Sequence, residues 1–411
     1  MTTGRLSVGE TEMQWVRKED NWRVPVKCWA SSIEDGAIVQ AANLAQMPCV
    51  FHHVALMPDS HIGFGMPIGG VIALKNAVCP NAVGVDIGCG MIAVKTNVHA
   101  EALSDMRIRR DWQTKAKSRI PVGEGSAHHN PQAWEGFEEY GIGALWPNEL
   151  DMRNLSSLGG GNHFCELQKD ESGIVWLMIH SGSRNLGHRI ATHYGNIAKE
   201  LCSQFFVPLA DEDLAFLPID TKDGQDYLRD MYFAMSYAKE NRRGMMDAAF
   251  LSLKEVCDKL GVSCEETWRY DIHHNYAALE NHFGQNVWVH RKGATSAKQG
   301  ETGIIPGSMG TASYTVEGLG NPESFMSCSH GAGRKMSRSA ASQNLTKEEC
   351  DKAMEGIVCD RWNKVRRGKC AGKLDLSEAP GAYKDIEEVI ANEADLVKPI
   401  VRLTPLAVLK G

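Results

Sequence analysis

Six residues with ligand chemistry are spread along the chain: Asp86, Cys89, His163, His180, His274 and His330. Most follow an apolar run or stand in a glycine-rich loop. Carboxylate, thiolate and imidazole together suit borderline transition metals such as Mn, Fe, Co or Zn. The spacing Asp86-x-x-Cys89 puts both groups on one tight turn, so one ion can take both. A thiolate can also bridge two ions, as suits a two-metal site that stabilises attacking and leaving oxygens. Taken singly, each residue is as readily structural, since a buried cysteine is most often an apolar thiol. Six of them beside such loops are harder to explain by packing.

A second chemistry is centred on Ser327-Cys328-Ser329-His330-Gly331-Ala332-Gly333-Arg334. Glycines let the backbone approach a ligand closely. Bare N–H groups can cradle an anion, and Arg334 can add a forked, charge-assisted contact. That arrangement sets an imidazole against a phosphate. Other donors in or near glycine-containing loops are Asn162, Ser181, Ser183, Arg184, Ser308, Ser313 and Arg338. Neither a P-loop nor a Rossmann fingerprint is present. The Lys-x-Asp-Gly motif of the usual nucleotidyltransferase ligases is absent too.

The elements that must position these residues alternate between strands and loops. The pattern predicts a helix over 35–47 and a buried strand over 49–57, then a polar loop from Pro58 to Gly65. Strands are expected at 71–74, 91–95, 174–179, 285–291 and 313–317. Helices are expected over 100–119 and 186–205, and two or three helical segments over 223–260. Tyr270–Asn275 reads as opening a further helical stretch. Late helices are expected near 346–357 and 384–397, with Pro399 stopping the second and an extended tail over 400–409. Residues 1–33 carry no strong signal, and 120–150 look irregular, with His128-His129 in a surface loop. Because the unusual loops occur from residue 58 to 334, one domain with a site built from many strand ends is expected.

The chain has 411 residues and a net charge of −7, which argues weakly against nonspecific coating of nucleic acid. Two basic runs can still line a groove: 107–119, with six basic residues, and 361–369. Glycine, at 40 residues, exceeds its usual share of about 7%. No apolar run is long enough for a membrane span, and Met1–Arg5 lacks the apolar core of a signal peptide. The twelve cysteines form no Cys-x-x-Cys and are expected to be mostly reduced thiols of a cytoplasmic protein.

The motifs taken together resemble the RtcB family of RNA-splicing ligases. Pro58-Asp59-Ser60-His61, Val85-Asp86-Ile87-Gly88-Cys89-Gly90, Gly161-Asn162-His163-Phe164, His180-Ser181-Gly182-Ser183-Arg184, His274-Asn275, Pro306-Gly307-Ser308-Met309-Gly310 and Ser329–Arg334 occur in that family's order. The resemblance runs from about Phe51 to Lys410-Gly411. It implies a single-domain α+β fold over residues 1–411, with mixed β-sheets, surrounding helices and a helical insertion near 198–262. It implies joining of RNA ending in a 3′-phosphate or 2′,3′-cyclic phosphate to RNA with a 5′-hydroxyl, using GTP and two Mn²⁺ ions. His330 then matches the guanylylated nucleophile, and Asp86, Cys89, His163, His180 and His274 match the metal ligands, with Cys89 bridging. Asn162, Ser308, Ser313, Gly331, Gly333, Tyr383 and Lys410 match nucleotide contacts. Arg184 and Arg338 resemble phosphate-binding arginines for the RNA end, and Asp59 an acidic residue beside the site. A monomer acting on tRNA or another cleaved RNA is implied.

Two positions depart from the family pattern. Ser60 stands where an apolar residue is usual, and Asn185 where glycine is common. Neither removes a ligand, but both put the identity of the RNA in doubt. Rival readings are a metal-dependent phosphoesterase that only opens cyclic phosphates and a non-catalytic RNA-binding protein. The first needs neither His330 nor the base contacts, and lost ligands would mark the second.

Overall fold

A computed structural model describes residues 13–140, 146–365 and 370–411. Met1–Arg5 and the last four residues of the 361–369 basic run lie outside the described residues. The architecture is α+β and is dominated by two sheets.

The first sheet has six strands. Their order is Trp15–Arg17, Val26–Cys28, Val50–His61, Ile68–Leu74, Gln285–Lys292 and Asn275–His282. The second has seven: Glu266–His273, Gly90–His99, Ile174–Ser181, Phe164–Lys169, Val397–Lys410, Ser313–Gly318 and Thr302–Ile305. The chain passes from the second sheet to the first between His273 and Asn275, so His274 sits at the crossing. A two-stranded ribbon, Ala294–Ser296 with Ser327–Ser329, continues from the first sheet and delivers His330.

Register explains why distant residues meet. Gly90 pairs with both Ser181 and His273, while Phe164 pairs with both His180 and Lys410. Cys89, His163, His180, His274 and Lys410 therefore gather at one end of five adjacent strands.

Several expectations change. Residues 222–260 form one helix of 39 residues rather than two or three segments. It buries two faces, one under the second sheet through Met245, Met246 and Leu253, the other against the helix Asn185–Gln204 through Tyr227, Met231 and Ala234. Burial on both sides keeps so long a helix continuous. Tyr270–His273 and Asn275 are strand, not helix, with His274 at the bend between them. Trp268, Tyr270 and Ile272 recur every second residue and pack on one face of the sheet. The strand from Val50 runs on through Pro58–His61. The helix before Pro399 already ends at Ala391, and Pro399 lies inside the last strand beside a register shift. The unassigned N-terminal stretch supplies two edge strands.

The basic run 107–119 is not an open groove. Arg107 pairs with Asp105, Arg110 and Lys117 with Asp360, and Lys115 and Arg119 with Glu255. Arg109 is buried and donates to the carbonyls of Gly356 and Ser104.

Candidate active site

The ligand-type residues converge. Cys89 Sγ lies 3.5 Å from His163 Nε2 and 3.3 Å from His180 Nε2. These three buried groups hold their ligand atoms within 4.8 Å of one another, close enough to share a metal ion. Asp86 joins from one side, with Oδ2 at 3.1 Å from His163 Nε2, and His274 from the other, with its Nε2 at 3.2 Å from His180 Nε2. His163 donates Nδ1–H to the carbonyl of Leu158 at 2.9 Å, which turns the Nε2 lone pair inward. A ring held in that way is the usual support for a metal-binding histidine. Asp86 Oδ1 and His274 Nδ1 are buried and lack a partner among the described residues.

The protonation states suit a cation. Burial first, then neighbouring histidines, hold His180 and His274 well below the ordinary imidazole value, so both are neutral donors. Burial raises Asp86 most, but His163, Cys89 and Arg184 together outweigh it and the carboxyl ends below its ordinary value. Burial and then Asp86 push the Cys89 thiol well up. A bound cation inverts that last effect, since a coordinating thiol is deprotonated.

The support comes from a segment whose sequence gave no ligand signal. Arg242, fully buried in the long helix, donates to the carbonyls of Gly88 and Ser181, both at 2.9 Å. Those carbonyls adjoin Cys89 and His180. Asp271 accepts from the other side of the same guanidinium, at 2.7 and 2.8 Å. Neighbouring Asn241 donates to the carbonyl of Gly182 at 3.0 Å.

His330 stands beside this cluster, its ring centroid 4.8 Å from that of His274. Its Nδ1 lies 2.6 Å from Asp59 Oδ2, and its backbone N–H donates to the same oxygen at 3.2 Å. Asp59 is fully buried at the end of the long strand Val50–His61. With Nδ1–H committed to Asp59, Nε2 is left with a free lone pair.

The His330 ring opens on a cavity of about 510 Å³. Asn162, His180, Ser308, Gly331, Gly333, Arg338, Tyr383 and Lys410 line it too. Gly333 has φ +70°, and a Cβ there would lie 2.3 Å from the Asp59 carbonyl oxygen. The glycine is thus required by the close approach of two chain segments, not only by space for a ligand.

Several sequence candidates, some of them on the cavity wall, are held by protein partners. Ser313 is buried behind the wall, where its hydroxyl accepts from Gly307 N–H at 3.2 Å. Ser308 packs on Thr311, with the two hydroxyls 3.0 Å apart. Arg184 adopts φ +59° and lays its guanidinium over Gly159, donating to Ser157 Oγ at 3.3 Å. Arg334 is not a free anion fork, because it donates to Met336 O, Ser377 O and Glu378.

Sequence reasoning missed Glu378. Its carboxylate takes Arg334 at 3.3 Å, Arg338 at 3.1 Å, Lys410 at 3.4 Å and the Tyr383 hydroxyl. Burial opposes ionisation, yet Lys410, Tyr383 and the two arginines prevail and hold its pKa at about 2. Buried Glu166 was missed as well. Burial lifts it to about 7, although a bond from Gln168 and the charge of Lys410 oppose the rise. A glutamate three residues after His163 on an otherwise apolar strand was the available signal.

A family model described as "tRNA-splicing ligase RtcB" matches residues 40–142 and 146–411. The chain belongs to the RtcB family. It is 39% identical over 409 residues to the RNA-splicing ligase RtcB of Escherichia coli K12, covering 94% of this chain and 97% of that protein. It is 32% identical over 448 residues to the tRNA-splicing ligase RtcB of Thermococcus kodakarensis, covering 92% of each. With the RNA-splicing ligase RtcB of Mycobacterium tuberculosis it shares 32% identity over 444 residues, covering 91% and 100% respectively. An RtcB chain is a nucleic acid ligase, and RNA is the substrate class. No helix among the described residues is long and apolar enough to cross a membrane.

Proposed function

We propose that the protein joins RNA 3′-phosphate or 2′,3′-cyclic phosphate ends to 5′-hydroxyl ends, with GTP as co-substrate and manganese as cofactor. The observation that carries this reading is His330. Asp59 fixes its Nδ1, its Nε2 is free, and its ring faces a nucleotide-sized cavity beside five metal-ligand side chains.

In the first step His330 Nε2 attacks the α-phosphorus of GTP. The N–P bond forms as the bond to pyrophosphate breaks. Asp59 holds the Nδ1 proton and stabilises the charge that develops on the ring. An oxygen of the RNA 3′-phosphate then attacks the same phosphorus and returns the electron pair to Nε2. The 5′-hydroxyl attacks the activated 3′-phosphorus, loses its proton and expels GMP. A cyclic end is first opened by water at the same site.

Asp86, Cys89, His163, His180 and His274 would hold the manganese ions, for which the Cys89 thiolate is the central ligand. Two such ions neutralise triphosphate charge and stabilise the oxygens of in-line displacement. Asn162, Ser308, Gly331, Gly333, Tyr383 and Lys410 bound the guanylate, and Ser313 acts from behind by fixing Gly307. Arg184 and Arg338 take the RNA phosphate. The chain acts as one catalytic unit and as a monomer, with the long helix as scaffold and either tRNA or another cleaved RNA as substrate. Twelve free thiols support a reducing, cytoplasmic setting. A phosphoesterase would need neither the paired histidine nor the base-sized cavity.

The test is incubation with α-labelled GTP and Mn²⁺ followed by denaturation. An acid-labile adduct is expected in the wild type and none in His330→Ala. No wild-type adduct, or one that persists in the variant, overturns the reading.

A further inference from the structure

Three large apolar side chains of the loops that flank the site stand in solvent: Ile62, Phe64 and Val85, at 48%, 57% and 43% exposure. They come from two loops. Ile62 and Phe64 belong to the segment that joins the strands Val50–His61 and Ile68–Leu74, and Val85 immediately precedes Asp86.

Lys292 ties the loops together. Its buried ammonium donates to the carbonyls of Phe64 and Asn81, and its stem lies 3.2 Å from where a Cβ on Gly84 would be. The next residue, Gly293, approaches both Ile68 and the His330 ring. Ile62 lines the His330 cavity itself.

The backbone beneath these side chains is held firmly. Gln40 donates to the Gly63 carbonyl at 2.8 Å and accepts from its N–H at 3.1 Å, while Met66 N–H donates to the Phe64 carbonyl at 2.8 Å. Met66 is buried, yet the Phe64 ring between the two glycines is left in water. A fixed frame that presents an unpaired aromatic face is a stacking platform, not a frayed loop.

We propose that this lip, with Phe64 at its centre, stacks an unpaired base of the RNA strand whose end enters the His330 cavity. The inference rests on the ligase reading and deepens it. Ends awaiting ligation enter as single strands, whose exposed bases stack readily on aromatic side chains. The three side chains are uncharged and the charges beside them include the carboxylates of Glu34, which accepts from Ile62 N–H at 3.3 Å, and Asp86, so the lip grips the base and leaves the phosphate to cations at the site. A second copy of the chain is a poor occupant, because three side chains offer far less than the roughly 800 Å² per partner that a stable interface buries.

The test measures binding rather than turnover. A labelled single-stranded oligoribonucleotide with a 3′-phosphate is titrated by anisotropy in Mn²⁺ without GTP. Phe64→Ala is expected to weaken Kd about tenfold. Phe64→Trp is expected to keep affinity, and Phe64→Leu to behave like the alanine variant. The unfolding midpoint checks each fold, and if the alanine variant does not fold, the Leu and Trp pair carries the comparison. Wild-type affinity in Phe64→Ala or Phe64→Leu overturns the proposal, as does no RNA binding by the wild type. So does self-association, seen by sedimentation, that Phe64→Ala abolishes. Loss of binding in Phe64→Ala with no guanylate adduct in the wild type leaves the lip standing and sinks the ligase reading. An adduct with unchanged binding does the reverse.

Discussion

Asp59 decides what His330 can do. A neutral imidazole with its Nδ1–H on a buried carboxylate presents a lone pair at Nε2, and the carboxylate offsets the charge that appears once Nε2 is phosphorylated. Asp59→Asn keeps the shape and removes that charge. Guanylylation should slow by about a hundredfold or more with the GTP concentration for half-maximal rate little changed, as read by single-turnover labelling. An unchanged rate would leave Asp59 as packing only. Cys89→Ala removes the sulfur that lies within 3.5 Å of both His163 and His180, and bound manganese and ligation should fall together. Metal analysis of the purified variant checks this, and full activity would refute a shared thiolate. At this scale much was legible, because ligand-type residues in glycine loops stand out against an apolar background. Glu378 was not. Nothing in Leu376-Ser377-Glu378-Ala379 reveals that Arg334, Arg338 and Lys410 fold onto one carboxylate, since those contacts exist only in three dimensions.

One element that supports the candidate metal ligands carries none of them. The helix Lys222–Leu260 reaches the site through Arg242, which spans the carbonyls of Gly88 and Ser181 and is neutralised by Asp271. Arg242→Met leaves Asp271 and two carbonyls without their donor. Loss of one partner of a buried pair costs about 3–5 kcal/mol, and loss of such outer support lowers metal affinity roughly 10–100-fold. Denaturant unfolding and manganese titration of the variant check the two effects separately. Stability near that of the wild type would show that Arg242 fills space and does not clamp the loops. The helix was visible as helical character but not as one rod, although the stretch has few glycines and Gly224 and Gly244 do not interrupt it. In the fold they are contact points. A Cβ at Gly244 would lie 2.0 Å from Ser156 Oγ, and one at Gly224 would lie 2.2 Å from the Pro218 carbonyl. The reverse error occurred at Tyr270–Asn275, where His273-His274 hid the two-residue alternation of Trp268, Tyr270 and Ile272.

For the whole molecule, the buried carboxyls Glu378, Glu393 and Glu166 contribute to the pH dependence with two signs. Glu378 is held down at about 2 despite its burial, by Lys410, Tyr383, Arg338 and Arg334. A folded pKa below the ordinary 4.5 means stability that is complete above 4.5 and lost as pH falls toward 2. Glu393 behaves oppositely. It is fully buried and accepts from Ser329 N–H at 2.8 Å, and burial lifts it to about 8. Burial lifts Glu166 likewise, to about 7. A folded pKa above the ordinary value means stability that is complete below 4.5 and lost as pH rises through 7 to 8. His53, His273 and His290, held low by burial, act in the opposite direction as pH falls, so the test is the variant: Glu393→Gln should shift the melting-temperature gap between about pH 5.5 and about pH 8.5 toward relatively higher stability at pH 8.5. The glutamine keeps an acceptor for Ser329 and cannot ionise. A gap of wild-type size in the variant would show that Glu393 is already charged in the fold. Because Ser329 is the residue before His330, ionisation of Glu393 would place a second carboxylate near the one that holds the nucleophile, which Asp59 already opposes by its charge. The alkaline loss should therefore appear first as reduced protection of the Ser329 amide in hydrogen exchange, before the global transition moves.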